Sequence, residues 1–162
     1  MRKETVLFLC TGNSARSQMA EALLRRCAGD HYEVLSAGTE PKGIHPMTRI
    51  VLGELGADIS GQRSKNLTEY LGHVAVNTVI TLCDDAERTC PVWPGKVRRM
   101  AWPFEDPAAC RGPRSQRLDR FRGIRDSIDR RIHEWLQGEN RDRTVPSQES
   151  ERGGGRRSSV RS

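Results

Sequence analysis

No apolar run in this chain approaches the eighteen residues of a membrane span. Aromatic residues are scarce, at 5%, and nowhere alternate with basic side chains, so the formal net charge of +6 is not laid out as a nucleic-acid surface. Five cysteines are present, but none are spaced as the Cys-x-x-Cys pairs of a zinc site. Internal repeats are missing. The charged start is followed by Val6–Leu9, too short for the apolar core of a signal peptide, so we expect the chain to stay in the cytoplasm. In that compartment five thiols argue against a disulfide framework and for nucleophilic, redox or core roles. Apolar residues nearly vanish after Gly138, and Gly153-Gly154-Gly155 and Arg156-Arg157-Ser158-Ser159 follow. This composition predicts a disordered Arg/Gly/Ser-rich tail over 138–162, behind one domain, 1–137, large enough for a single core.

The chain is organised around Val6–Ala20. Val6–Leu9 suits a buried strand, and from Ser17 onward Met19, Ala20, Leu23, Leu24 and Cys27 recur at helical spacing, predicting an apolar face with Cys27 in the core. Between them lies Cys10-Thr11-Gly12-Asn13-Ser14-Ala15-Arg16-Ser17. A strand, a tight polar loop and a helix N-terminus bind tetrahedral oxyanions, because successive backbone N–H groups point inward and the helix dipole adds positive charge. Gly12 permits close approach and Asn13 tolerates left-handed geometry. Thiols beside a helix N-terminus and an arginine titrate at roughly 3.5–7.5 rather than ~8.5. Ser17 can donate to such a sulfur, and the planar fork of Arg16 fits two oxygens of a phosphate or arsenate. The segment therefore predicts a charged nucleophile inside an anion cradle. The net positive charge fits the same kind of substrate.

Further strands are predicted at Tyr32–Ala37, Thr78–Leu82 and Val97–Trp102, and helices from Pro46 to Gly56 and over Ser115–Leu136. Strands alternating with helices indicate an α/β fold with a four-stranded parallel sheet of order 2-1-3-4, helices on both faces, in the flavodoxin-like manner. Ligands of such sheets bind beyond the carboxyl ends of the strands where the winding reverses, between strands one and three.

Cys10 and Cys83 each follow an apolar strand. Neighbouring strands lie about 4.8 Å apart, within the reach of a disulfide, so a Cys10–Cys83 bond is attainable with modest movement. Cys83 and Cys90 frame Asp84–Thr89. A helix there holds them about 10 Å apart at ~1.5 Å per residue, so a Cys83–Cys90 bond requires unwinding. We therefore expect this segment to be compact when reduced and looped out when oxidised. Incidental cysteines are the plain alternative. Asp106-Pro107 follows the fourth strand; it reads equally as a turn and as a general acid. Cys110 is read as a loop residue.

The string CTGNSARSQMAE, with TLCDDAERTCP and WPFEDPA further on, resembles the thioredoxin-coupled arsenate reductases of the low-molecular-weight tyrosine phosphatase-like superfamily, over residues 4–137. The resemblance implies arsenate as substrate, with phosphate and sulfate as competing oxyanions. It implies Cys10 as nucleophile, Thr11 to Ser17 and Arg16 as oxyanion holders, and Asp106 as acid. It also implies a transient Cys10–Cys83 disulfide, then Cys83–Cys90, reduced by thioredoxin. Several such relatives bind potassium through residues matching Asn13, Glu21 and Ser36, plus an aspartate whose nearest equivalent here is Lys65. An ammonium there would replace the ion, so no metal, potassium or bound cofactor is expected. Neither a membrane nor a nucleic-acid partner is expected, and the protein should act as a monomer. Ala15 stands where some relatives carry a further cysteine, without consequence for these roles. Two other readings share the loop: a phosphotyrosine phosphatase using Cys10, Arg16 and Asp106 alone, and a non-catalytic sensor of phosphorylated ligands.

Overall fold

The computed structural model describes the backbone of residues 3–161 and the side chains of residues 3–141. The chain divides into two compact units, 1–129 and 130–162, the second being the later part of the last helix. The elements are β1 (Glu4–Cys10), α1 (Arg16–Ala28), β2 (Tyr32–Gly38), α2 (Pro46–Gly53), β3 (Thr78–Thr81), α3 (Asp84–Thr89), β4 (Arg98–Ala101) and α4 (Arg114–Arg161). Short 3-10 turns occupy Leu67–Glu69 and Pro107–Ala109. The strands form one parallel sheet in the expected order β2-β1-β3-β4.

β1 is hydrogen-bonded on both sides, which is why its sequence is continuously apolar: Leu7, Phe8 and Leu9 are fully buried. It is longer than its apolar run, because Glu4, Thr5 and Cys10 pair through their backbones with Tyr32, Glu33 and Gly38. β4 is the edge and shorter than expected; Val97 and Trp102 lie outside it, although the Trp102 N–H still reaches Thr81 O at 2.8 Å. α2 starts at Pro46 as predicted, with the His45 Nδ1 accepting from Met47 N–H at 3.0 Å. It ends at Gly53 rather than Gly56, which takes φ +72° in the turn beyond.

Met19, Leu23 and Leu24 of α1, Val51 and Leu52 of α2, Ile80 of β3 and Phe121 and Ile128 of α4 fill the core. Cys27 does not join them, contrary to the sequence expectation: it is exposed, and Ala28 takes the buried position at the end of α1. Cys27 sits in the last turn of α1, where Arg25 and Arg26 are exposed with it. Arg125 is buried and donates to Val51 O and Glu54 Oε1, both at 2.8 Å, placing a cation against the carbonyls that end α2. The backbone of α4 continues past the expected end at Leu136 as far as Arg161, within the stretch read as a tail over 138–162, whose side chains lie outside the described residues from 142 on.

Gly38 ends β2 where it meets the loop after β1. A Cβ there would lie 2.5 Å from the Thr11 carbonyl oxygen and 3.0 Å from Asn13. Gly38→Ala should therefore destabilise the fold by about 1–3 kcal/mol, the range for overpacked sites, read as a lowered urea midpoint with an unchanged slope.

Candidate active site

The loop from Cys10 to Ala15 turns every carbonyl away from its hollow. Cys10 O accepts from Thr39 N–H (3.3 Å), Thr11 O from Glu40 N–H (2.8 Å) and Gly12 O from Lys42 N–H (2.9 Å). Asn13 O accepts from Gln18 Nε2 (3.1 Å), Ser14 O from His45 N–H (3.0 Å) and Ala15 O from Met19 N–H (2.8 Å). Among the described residues, the amides of Thr11 to Arg16 donate to no backbone carbonyl. With their carbonyls bound elsewhere, these amides are left for an anion at the N-terminus of α1. Asn13 supports the bend with φ +45°, the one non-glycine residue in the left-handed region among those described.

Beneath the loop, Cys10 Sγ lies 2.8 Å from Ser17 Oγ, both buried. Ser17 Oγ already accepts from Asn13 Nδ2 at 2.7 Å, so its own proton is free to donate to the sulfur. The same Asn13 amide reaches Ser36 Oγ (3.0 Å), which donates to Glu21 Oε1 (2.5 Å). Asn13 Oδ1 accepts from Gln18 Nε2 (3.0 Å) and from Lys65 N–H (2.9 Å). Glu21 is paired with Arg25, and Lys65 Nζ stands 4.0 Å away while donating to Arg63 O at 2.6 Å. Burial pushes the Lys65 ammonium below its usual range, with Glu21 acting in the opposite direction. The four supports expected beneath the loop, Asn13, Glu21, Ser36 and Lys65, are thus brought together.

The cavity above, about 270 Å³, is lined by Cys10, Thr11, Gly12, Ser14, Ala15, Arg16, Lys42, His45, Asp85, Asp106 and Ala108. Asn13 and Ser17 are fully buried below it, so their side chains serve the loop and the sulfur rather than the cavity. Arg16 is anchored by an NH1 bond to Phe104 O at 3.1 Å, with its NH2 4.0 Å from Asp106 Oδ2. Asp106 Oδ1 accepts from Ala108 N–H at 3.0 Å and caps the Pro107–Ala109 turn. The turn reading of Asp106 is met by Oδ1, while Oδ2 faces the arginine at the edge of the cavity. The His45 ring packs on Phe121 with centroids 4.8 Å apart. Burial and Arg117 lower its basicity, opposed by Asp106.

Cys83 caps α3, its sulfur accepting from Ala86 N–H at 3.4 Å, and meets Thr11 Oγ1 at the same distance. The loop of Cys10 and the thiol of Cys83 are thus joined by one side chain, at the ends of the paired strands β1 and β3. Cys90 closes the far end of α3, half-buried, with its thiol donating to Pro91 O at 3.5 Å. Burial raises the Cys90 thiol, countered by Trp93 and Arg99 and reinforced by Glu87. All five cysteines are free thiols, and Cys110 lies in the loop after the Pro107–Ala109 turn, as read from the sequence.

The profile of the low molecular weight phosphotyrosine protein phosphatases matches residues 5–145. The chain belongs to this family. It is 42% identical over 137 residues to an arsenate reductase of Bacillus licheniformis, covering 85% of this chain and 98% of that one. A solved arsenate reductase in a phosphate-binding state superposes with a TM-score of 0.71 at 30% identity, over 83% of this chain and 98% of the other. A thioredoxin-dependent arsenate reductase of Corynebacterium glutamicum superposes at 0.66 with 35% identity, over 84% of this chain and 61% of its own.

Lys42 and His45 on the cavity wall were not singled out by the sequence, nor was the link from Thr11 to Cys83. His-Pro at the head of α2 is a recognisable cap signal, but nothing local announces that this cap borders the loop. Gln18, Gln62 and Arg25, which extend the network under Asn13, are likewise visible only in three dimensions. A hydrogen bond to a charged group contributes about 1.5–3 kcal/mol. Ser17→Ala should accordingly slow alkylation of Cys10 by iodoacetamide at neutral pH by about tenfold or more, measured by peptide mapping, with the circular dichroism spectrum unchanged.

Proposed function

We propose that this phosphatase-family protein is an arsenate reductase working through a relay of Cys10, Cys83 and Cys90, with thioredoxin as its reductant. The observation that carries this reading is the second thiol. Cys83 is hydrogen-bonded to Thr11 on the nucleophile's own loop, and a third thiol waits at the other end of α3. Hydrolysis of a phosphate ester needs neither.

In this reading arsenate sits on the loop amides and the Arg16 fork. The Cys10 thiolate attacks arsenic, Asp106 protonates the departing hydroxyl, and water leaves a sulfur–arsenic(V) adduct. Cys83 attacks the Cys10 sulfur; the sulfur–arsenic bond breaks with its electron pair on arsenic, releasing arsenite and leaving a Cys10–Cys83 disulfide. Cys90 then attacks Cys83, freeing the Cys10 thiolate and forming Cys83–Cys90, which a thioredoxin dithiol reduces. Two electrons pass in total. Each exchange needs only an accessible thiolate and a leaving sulfur. The reaction starts from free thiols, which fits a reducing compartment, and we read the protein as cytoplasmic. No helix among the described residues is long and apolar enough to cross a membrane. Phosphate and sulfate compete for the same cradle. In this reading the Lys65 ammonium beside Glu21 supplies the positive charge that a potassium ion would bring beneath the loop; the protein is read as a monomer.

Four outcomes test this reading. Arsenate-dependent oxidation of NADPH should proceed with thioredoxin and its reductase and not with a glutathione-coupled system. Cys83→Ser should abolish multiple turnover while leaving any hydrolysis of p-nitrophenyl phosphate intact; full arsenate turnover by this variant would transfer the pocket to ester cleavage. Asp106→Asn, which keeps the turn-capping oxygen but cannot give a proton, should lower kcat by about 10²–10⁴, the range for general acids. Exchange of sodium for potassium should leave the rate unchanged, and strong activation by potassium would remove Lys65 from the role given to it.

A further inference from the structure

The charges on the wall of the active-site cavity do not balance in pairs. Arg16, Lys42, Asp85 and Asp106 all line it. Arg16 stands against Asp106, and Asp85 is paired with Arg88 of its own helix. Lys42 is left over: among the described residues its ammonium meets no carboxylate and donates no hydrogen bond. Its backbone is nonetheless tied to the anion loop. The Lys42 N–H donates to Gly12 O at 2.9 Å. The next amide, of Gly43, donates at 3.1 Å to Ser64 Oγ, which itself donates to Gly12 O at 3.2 Å. The stem of Lys42 then lies along Gly12. A Cβ on that glycine would come within 3.3–3.5 Å of Lys42 Cδ, Cγ and Cε. The bare backbone at position 12 thus leaves the room in which a second cation reaches the rim of the loop.

An anion bound there brings more charge than the loop alone can answer. A phosphate-like group carries about −1.5 to −2 near neutral pH, and the Cys10 thiolate beneath it adds to this. Against it the helix N-terminus offers about half a positive charge, and the Arg16 guanidinium is shared with Asp106. We propose that Lys42 is a further anion-binding residue of this site, its ammonium closing on an oxygen of the bound tetrahedral oxyanion from the side of Gly12. Two cations of separate origin then hold the substrate, Arg16 from α1 and Lys42 from the segment after β2. An ammonium suits the place, because three donors on a flexible stem can follow the anion in and out, while the rigid guanidinium fork of Arg16 stays anchored to Phe104 O. The assignment rests on the reading of the cavity as an oxyanion site and deepens it. It does not depend on the relay through Cys83 and Cys90.

Inorganic phosphate tests this through its protection of Cys10 against iodoacetamide, an uncharged reagent, mapped by residue in the full chain. Lys42→Met keeps a stem over Gly12 and removes the charge. The phosphate concentration giving half-protection should rise about tenfold or more, as for a lost hydrogen bond to a charged group. Lys42→Arg should hold it within about twofold of the unsubstituted protein. The difference made by Lys42→Met should shrink as sodium chloride is raised to about 1 M. Half-protection unchanged in Lys42→Met overturns the proposal, as does a Lys42→Arg protein that binds phosphate as weakly as Lys42→Met. A second measurement needs no substitution. Phosphate should slow acetylation of Lys42 and leave the exposed Lys3 and Lys96 unaffected; Lys42 acetylated equally fast while Cys10 is protected overturns the assignment. The two readings fail differently. If phosphate protects Cys10 in no form of the protein, the oxyanion site falls and Lys42 with it. If phosphate protects the unsubstituted protein and Lys42→Met alike, the site stands and Lys42 loses its role.

Discussion

Six carbonyl groups bound outward are what the rest of the site depends on. A loop can present its amides to an anion only if its oxygens are satisfied elsewhere, because a peptide unit turned one way by its N–H is turned the other way by its C=O. Here the segment after β2 supplies most of the partners, through the amides of Thr39, Glu40, Lys42 and His45. This explains why β2 must end on Gly38, which lets that segment pass against the loop without a side chain in the way. It also explains why the head of α2 lies where it does. His45 caps its helix with Nδ1 and ties down Ser14 O with its backbone N–H, so one residue serves helix and loop together.

The loop is held from below by side chains rather than backbone. Asn13 is the hub, its two amide hydrogens and its oxygen reaching Ser17, Ser36, Gln18 and the Lys65 backbone. Around it the charges alternate: the Glu21 carboxylate lies between Arg25 and Lys65. A buried carboxylate needs such company, since an isolated charge away from water is strongly disfavoured. Ser17 therefore has one committed direction for its proton, toward Cys10. The electrostatics of the nucleophile are set two and three residues away from the anion it attacks.

Much of this was legible in the sequence, for reasons that can be named. Val6–Leu9 and Thr78–Leu82 read as interior strands because a parallel strand buried on both faces is continuously apolar, and Cys10 and Cys83 fall just past their ends. Helical spacing after Ser17 placed the dipole behind the loop. Less was visible where a residue acts through the backbone: Glu4 and Thr5 join β1 although they are polar, and α2 stops at Gly53. Cys27 was misplaced because helical spacing does not say where packing on a face stops: in the last turn of α1, Arg25, Arg26 and Cys27 are exposed together while Ala28 is buried. Nothing local announced that Lys42 and His45 border the cavity. Their significance comes from neighbours distant in the chain, which a one-dimensional pattern does not record.

The short helix α3 has a consequence for a molecule at rest. Its six residues stand between the thiols of Cys83 and Cys90, at opposite ends. Under the proposed relay, stray oxidants therefore cannot easily drain the protein of its reducing power while no substrate is present. In the proposed relay the safeguard is released only from inside, once a bond to the inner cysteine pulls the cap off the helix. The same turn of backbone would then be both insulator and trigger.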